Sequence, residues 1–136
     1  MLDVLIVEDD LTIADMLQEV LEADGYSVSG IARTVQEAID AAEKNDPDFA
    51  VIDVQLAKGG LGTEVAKHLR RTSSIGIIFS TGNDNHKLNG LIGDAVMTKP
   101  YRLDDVARAI KIISEMAEFG KTDLEFPRNF RLLGPA

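Results

Sequence analysis

The sequence has no cysteine, which excludes a disulfide scaffold and every thiolate-held metal. It has only two histidines, which argues against a zinc centre. No stretch approaches the roughly 20 apolar residues that span a bilayer. No basic segment followed by an apolar run opens the chain, since Met1-Leu2-Asp3 leads into Val4 to Val7 and then into acids. Membrane insertion and secretion are therefore not expected, and the cytoplasm is the expected compartment. Basic residues are scarce as well: 14 Lys and Arg face 23 Asp and Glu, leaving a net charge of -9. That balance opposes the counterion release that drives nucleic-acid binding, so no nucleic-acid partner is expected.

What remains is a chain of 136 residues, 45% of them hydrophobic, which is enough for one core. Short β-branched runs alternate with amphipathic stretches. Leu2–Val7 reads as a strand buried on both faces. Ile13, Ala14, Leu17, Val20 and Leu21 recur at helical spacing until Asp24-Gly25. Ser27–Ile31 predicts a second strand. Thr34-Val35-Gln36-Glu37 is a capping box that opens a helix ending at Asn45-Asp46-Pro47. Phe49–Ile52, a helix through Val65, Ala66 and Leu69, and a strand over Ile75–Ser80 follow. The segment 83–94 is rich in Asn and Gly, so a short or irregular fourth helix is expected there. A brief strand at Ala95–Met97 precedes a long helix running from Leu103 to Gly120. The alternation predicts an α/β fold: a doubly wound, five-stranded parallel sheet of flavodoxin-like order 2-1-3-4-5 with helices on both faces.

In such sheets ligands bind beyond the carboxyl ends of the strands. Glu8, Asp9 and Asp10 follow the first strand, Asp53 the third, Ser80 and Thr81 the fourth, and Thr98 and Lys99 the fifth. If strands one, three, four and five are neighbours, Glu8, Asp9 and Asp53 share one pocket with Thr81 and Lys99 at its rim. Carboxylates about 4 Å apart repel by roughly 4 kcal/mol at an effective dielectric near 20, so a cation is required. Oxygen-only ligands with open positions suit Mg²⁺. A carboxylate beside a divalent ion, with a lysine and a hydroxyl placed for anionic oxygens, is equipped to attack phosphorus, and Asp53 is the candidate nucleophile.

Val4-Leu5-Ile6-Val7-Glu8-Asp9-Asp10, Val51-Ile52-Asp53-Val54-Gln55-Leu56, Phe79-Ser80-Thr81-Gly82 and Met97-Thr98-Lys99-Pro100-Tyr101 together resemble the response-regulator receiver domain of two-component signalling. The resemblance covers residues 1–118. It implies that Asp53 accepts a phosphoryl group and that Asp9 ligates Mg²⁺ directly. It further implies that Glu8 acts through a bound water and that the main-chain carbonyl of Gln55 completes the protein ligands. Thr81 and Lys99 are then expected to hold phosphoryl oxygens, and Lys99-Pro100 resembles the family's cis peptide. The implied partners are a histidine kinase, a histidine phosphotransfer protein or both, with a downstream protein target. A homodimer stays an open option.

The sequence also departs from that pattern. Val96 occupies the position where the family usually carries an aromatic switch residue, and Phe79-Ser80-Thr81-Gly82 is similar to a subgroup with Phe-Ala-Thr-Gly after strand four. Output is accordingly expected from ordering of the segment 82–94. Tyr101 reads as a partly buried anchor for the last helix, and His68 and His86 as surface residues. The division expected is a receiver domain over 1–119 and a tail over 120–136. With Phe126, Phe130, Leu132 and Leu133, that tail is too apolar to be wholly solvated. The competing enzyme is a Mg²⁺-dependent aspartyl-phosphate phosphatase, but Gln55 stands where such enzymes place an acid, and it transfers no protons. The chain is expected to be a phospho-acceptor and not a turnover enzyme, with its output through protein contact.

Overall fold

The structure is a computed structural model that describes residues 1–82 and 92–133. Most of the expected fourth helix, His86 and the loop expected to order all lie outside the described residues. The elements run β1 (Asp3–Val7), α1 (Leu11–Ala23), β2 (Ser27–Ala32), α2 (Val35–Asn45), β3 (Phe49–Asp53), a 3₁₀ turn at Ala57–Gly59, α3 (Gly62–Thr72) and β4 (Gly76–Thr81). After the undescribed segment come β5 (Ala95–Thr98), α4 (Asp104–Phe119) and β6 (Phe130–Leu132). None of the described helices is long and apolar enough to cross a membrane.

The strands form one sheet in the order β2-β1-β3-β4-β5-β6. The first five are parallel in the expected order. The expectation of five strands needs one addition: the tail supplies β6, antiparallel to β5, pairing Met97 with Phe130 and Ala95 with Leu132. Residues 120–129 carry the chain from the end of α4 back to the carboxyl end of β5, where Asn129 bonds to Thr98 and Pro100, so β6 runs down the free edge of β5 antiparallel to it. It thereby gives partners to backbone groups that an edge strand would leave open.

The period of two along each strand sorts side chains into two layers. Val4, Ile6, Val51, Ile78 and Met97 pack with α1 and α4, through Leu17, Leu21, Val106 and Ile110. Leu5, Val7, Ile52, Ile77, Phe79 and Val96 pack with α2 and α3, through Ala38, Val65 and Leu69. Burial on both faces explains why the strands read as continuous apolar runs. Local signals fix the helix ends. Asp10 caps α1, accepting from the amides of Thr12 and Ile13. Thr34 accepts from the Glu37 amide at 3.1 Å, while Glu37 reaches back to the Arg33 amide, one residue beyond the usual box partner. Gly120, at φ 76°, ends α4 in the left-handed region that glycine enters without steric cost.

Candidate functional site

The carboxyl ends of β1, β3, β4 and β5 lie side by side, and the residues just past them form the site. Glu8, Asp9 and Asp53 each offer an oxygen, and all three oxygens fall within 4.8 Å of one another. Glu8 is 6% exposed and Asp53 8%. Lys99 approaches from β5, its Nζ donating to Asp53 Oδ2 at 3.1 Å and lying 3.8 Å from Glu8 Oε1. Thr81 is buried at the end of β4, and its carbonyl accepts from the Lys99 amide at 2.8 Å. The peptide bond from Lys99 to Pro100 is cis. Of the five side chains that strand order was expected to bring together, Glu8, Asp9, Asp53 and Lys99 do meet, and Thr81 closes the neighbouring β4. Asp10, next in sequence, is exposed and serves as the α1 cap.

The electrostatics follow from this crowding. Burial pushes the Glu8 carboxyl up to about 7, assisted by the charge of Asp53 and only partly offset by the Asp10 amide and Lys99. For Lys99, burial acts downward, but the hydrogen bond and charge of Asp53, with Glu8 behind it, prevail and hold the ammonium above its ordinary value. One lysine thus faces three carboxylates. At 4.8 Å each ionised pair repels by about 3 kcal/mol at an effective dielectric near 20. An all-oxygen set of this size, short of positive charge, fits a hard divalent ion such as Mg²⁺.

The backbone around Asp53 is equally constrained. The Gln55 amide donates to Asp53 Oδ1 at 3.0 Å, which fixes the carboxylate's orientation and leaves Oδ2 toward Lys99. Gln55 also bridges to Leu61, so the loop folds back on itself. Gly62 opens α3 directly against the Asp53 carbonyl, where a Cβ would collide with that oxygen and with Ile52. The Gly62 amide donates to the Val54 carbonyl at 2.7 Å. Gly62, the last glycine of the run Gly59-Gly60-Leu61-Gly62, therefore lets α3 start against the acceptor's own peptide.

Two features escaped sequence reasoning. The Tyr101 ring packs on the α1–α4 layer, as an anchor would, but its hydroxyl also sits 2.7 Å from Ser80 Oγ. Burial raises the Tyr101 phenol above its ordinary value, with the Ser80 bond and Lys99 partly offsetting. The only available signal was Ser80 standing where the similar subgroup has alanine. His68 is half-buried instead of lying free on the surface, with Nε2 3.7 Å from Glu43 Oε1.

Comparison with known proteins gives the same assignment. The profile of the response regulator receiver domain matches residues 4–111. The phyllosphere-induced regulator PhyR of Methylorubrum extorquens is 32% identical over 79% of this chain and 42% of its own length. The aerobic respiration control protein ArcA of Escherichia coli is 33% identical over 90% of this chain and 52% of its own. The chain thus spans about half the length of these curated relatives. Among solved structures, the anti-anti-sigma factor PhyR of Bartonella quintana superposes with a TM-score of 0.76 at 29% identity, covering 86% of this chain and 50% of that one. The PhyR receiver domain of Erythrobacter litoralis gives 0.73 at 26% identity, covering 91% and 95%. With the profile running from β1 into α4 across every residue of the acidic pocket, this chain belongs to the response regulator receiver domains.

Proposed function

We propose that the chain is a phospho-accepting response regulator in which Asp53 takes a phosphoryl group from a histidine kinase or histidine phosphotransfer protein, with output by protein contact in the cytoplasm. The observation that carries the reading is the pocket itself: three carboxylates within 4.8 Å, of which only Asp53 also meets Lys99 at hydrogen-bonding distance. In the step proposed, an Asp53 carboxylate oxygen forms a bond to phosphorus while the phosphorus–nitrogen bond of the donor phosphohistidine breaks. The electron pair returns to the imidazole nitrogen, which takes a proton from solvent.

Glu8, Asp9, Asp53 and the Gln55 carbonyl are the groups that would hold Mg²⁺, which when bound offsets their repulsion and draws charge from the phosphoryl oxygens. Lys99 pairs with an equatorial oxygen through a charge-assisted hydrogen bond, and Thr81 donates its hydroxyl to another. The Gln55 amide holds the acceptor carboxylate in one orientation. Gln55 brings no titratable group to the phosphate, which supports an acceptor over a turnover phosphatase. Incubation with a small phosphodonor and Mg²⁺, followed by intact-mass spectrometry, tests the assignment. One phosphoryl group is expected on the wild type and none on Asp53→Asn, and a label persisting on that variant refutes it.

A further inference from the structure

Val96, at the position where the family usually carries an aromatic, is fully buried in the α2–α3 layer and lies in register with Arg131 of β6. The edge of β5 beyond Val96 is taken by β6. The aromatic beside the acceptor site is Tyr101, on the opposite face. Its ring packs against the layer that contains Met97 and Phe130, and its hydroxyl meets Ser80. Ser80 is 3% exposed, is the register partner of Asp53 across β3 and β4, and immediately precedes Thr81.

Tyr101 also borders the place where the tail is fastened. With Pro100, Arg102, Asp105, Arg128 and Asn129 it lines a groove of about 500 Å³. Asn129 grips the turn that carries Lys99 from both sides. Its carbonyl accepts from the Thr98 amide at 2.9 Å, and its side-chain amide donates to the Pro100 carbonyl at 2.8 Å. Asn129 does so at φ 63°, a left-handed conformation that a short polar side chain tolerates. Phe126 then stacks edge-on against Phe130, their centroids 5.1 Å apart.

We infer that Tyr101, latched through its hydroxyl to Ser80, couples the state of the Asp53 site to the seating of β6. The inference rests on the reading of Asp53 as phospho-acceptor. Adjacent residues of β4 point to opposite faces, so a pull on Thr81 by a phosphoryl oxygen displaces the strand end that also carries Ser80. A hydroxyl pair at 2.7 Å tolerates little displacement before the bond weakens. The freed ring then shifts in the groove on which Arg128 and Asn129 rest, and β6 loosens from β5. By linkage, a loosened β6 favours the phosphorylated state by the same factor.

Hydrogen exchange on the full chain tests this, with β5 and β6 peptides read against β1 as an internal control, before and after phosphorylation by a small phosphodonor with Mg²⁺. Phosphorylation is expected to speed exchange at the β5–β6 pairing about tenfold, within the usual range of such couplings. Ser80→Ala is expected to show the fast exchange before phosphorylation and little change after it, while its mass still rises by one phosphoryl group and β1 stays protected. Unchanged β6 exchange in the phosphorylated wild type overturns the inference, as does a Ser80→Ala protein that matches the wild type before modification. If no phosphate is incorporated, the acceptor assignment fails and takes the trigger with it. Should Ser80→Ala lose β1 protection, tyrosine emission gives a second readout. The chain has no tryptophan and two tyrosines, so Tyr26→Phe leaves Tyr101 as the sole reporter. Its emission is expected to change on phosphorylation, and constant emission overturns the inference.

Discussion

Replacing Glu8 by Gln should stabilise the metal-free protein above neutral pH. Glu8 is buried, and its carboxyl is pushed from 4.5 up to about 7, first by burial and then by Asp53. Between those two values the native state holds a proton that the unfolded chain has released, so stability falls as pH rises through the interval. The displacement corresponds to about 3 kcal/mol, fully present as a penalty only above pH 7, with the opposing charge of Lys99 at 3.8 Å already included in it. Gln is nearly isosteric, and its amide oxygen can still accept from the Asp10 amide, which Glu8 Oε2 does at 3.1 Å. Urea unfolding with a chelator at pH 5, 6, 7 and 8 reads the effect. The variant should equal the wild type within about 1 kcal/mol at pH 5 and exceed it increasingly from pH 6 to 8. Adding Mg²⁺ at pH 8 should stabilise the wild type more than the variant, because binding to the native state alone adds to stability and the variant lacks one carboxylate. Two curves that run parallel from pH 5 to 8 would refute the argument that Glu8 is held as a strained acid.

Asp9→Ala should weaken Mg²⁺ binding far more than Asp10→Ala, while Asp10→Ala should cost about 1 kcal/mol of stability by removing the α1 cap. Metal titration and urea unfolding of both variants separate the two effects, and equal metal affinities would contradict the ligand assignment. Gly62→Ala should destabilise by about 1–3 kcal/mol and slow phosphorylation, because its methyl group must displace the Asp53 carbonyl or Ile52. Wild-type stability and wild-type labelling rate together would show that α3 can start elsewhere.

Much of this protein was legible from local pattern. The β-branched runs announced parallel strands because a strand buried on both faces has no polar alternate, as in Val4 to Val7, all fully buried. Thr34, Glu37 and Gly120 marked helix ends because capping is a short-range requirement. The site was legible for a topological reason: once strands one, three, four and five are neighbours, whatever follows them converges, and Glu8, Asp9, Asp53 and Lys99 did, with Thr81 closing β4. Tertiary structure alone decided the rest. The three-residue β6 has too little pattern to announce itself, and it exists because β5 leaves an edge beside the returning tail. Only packing could show that Gly62 abuts the Asp53 carbonyl, since a missing side chain carries no signal of what fills its space. The same holds for Ser80 and Tyr101, twenty-one positions apart, whose 2.7 Å contact depends on two strand ends and a turn arriving at one point. Short-range chemistry is written in adjacent residues, whereas pairings between distant residues are set by how the layers close.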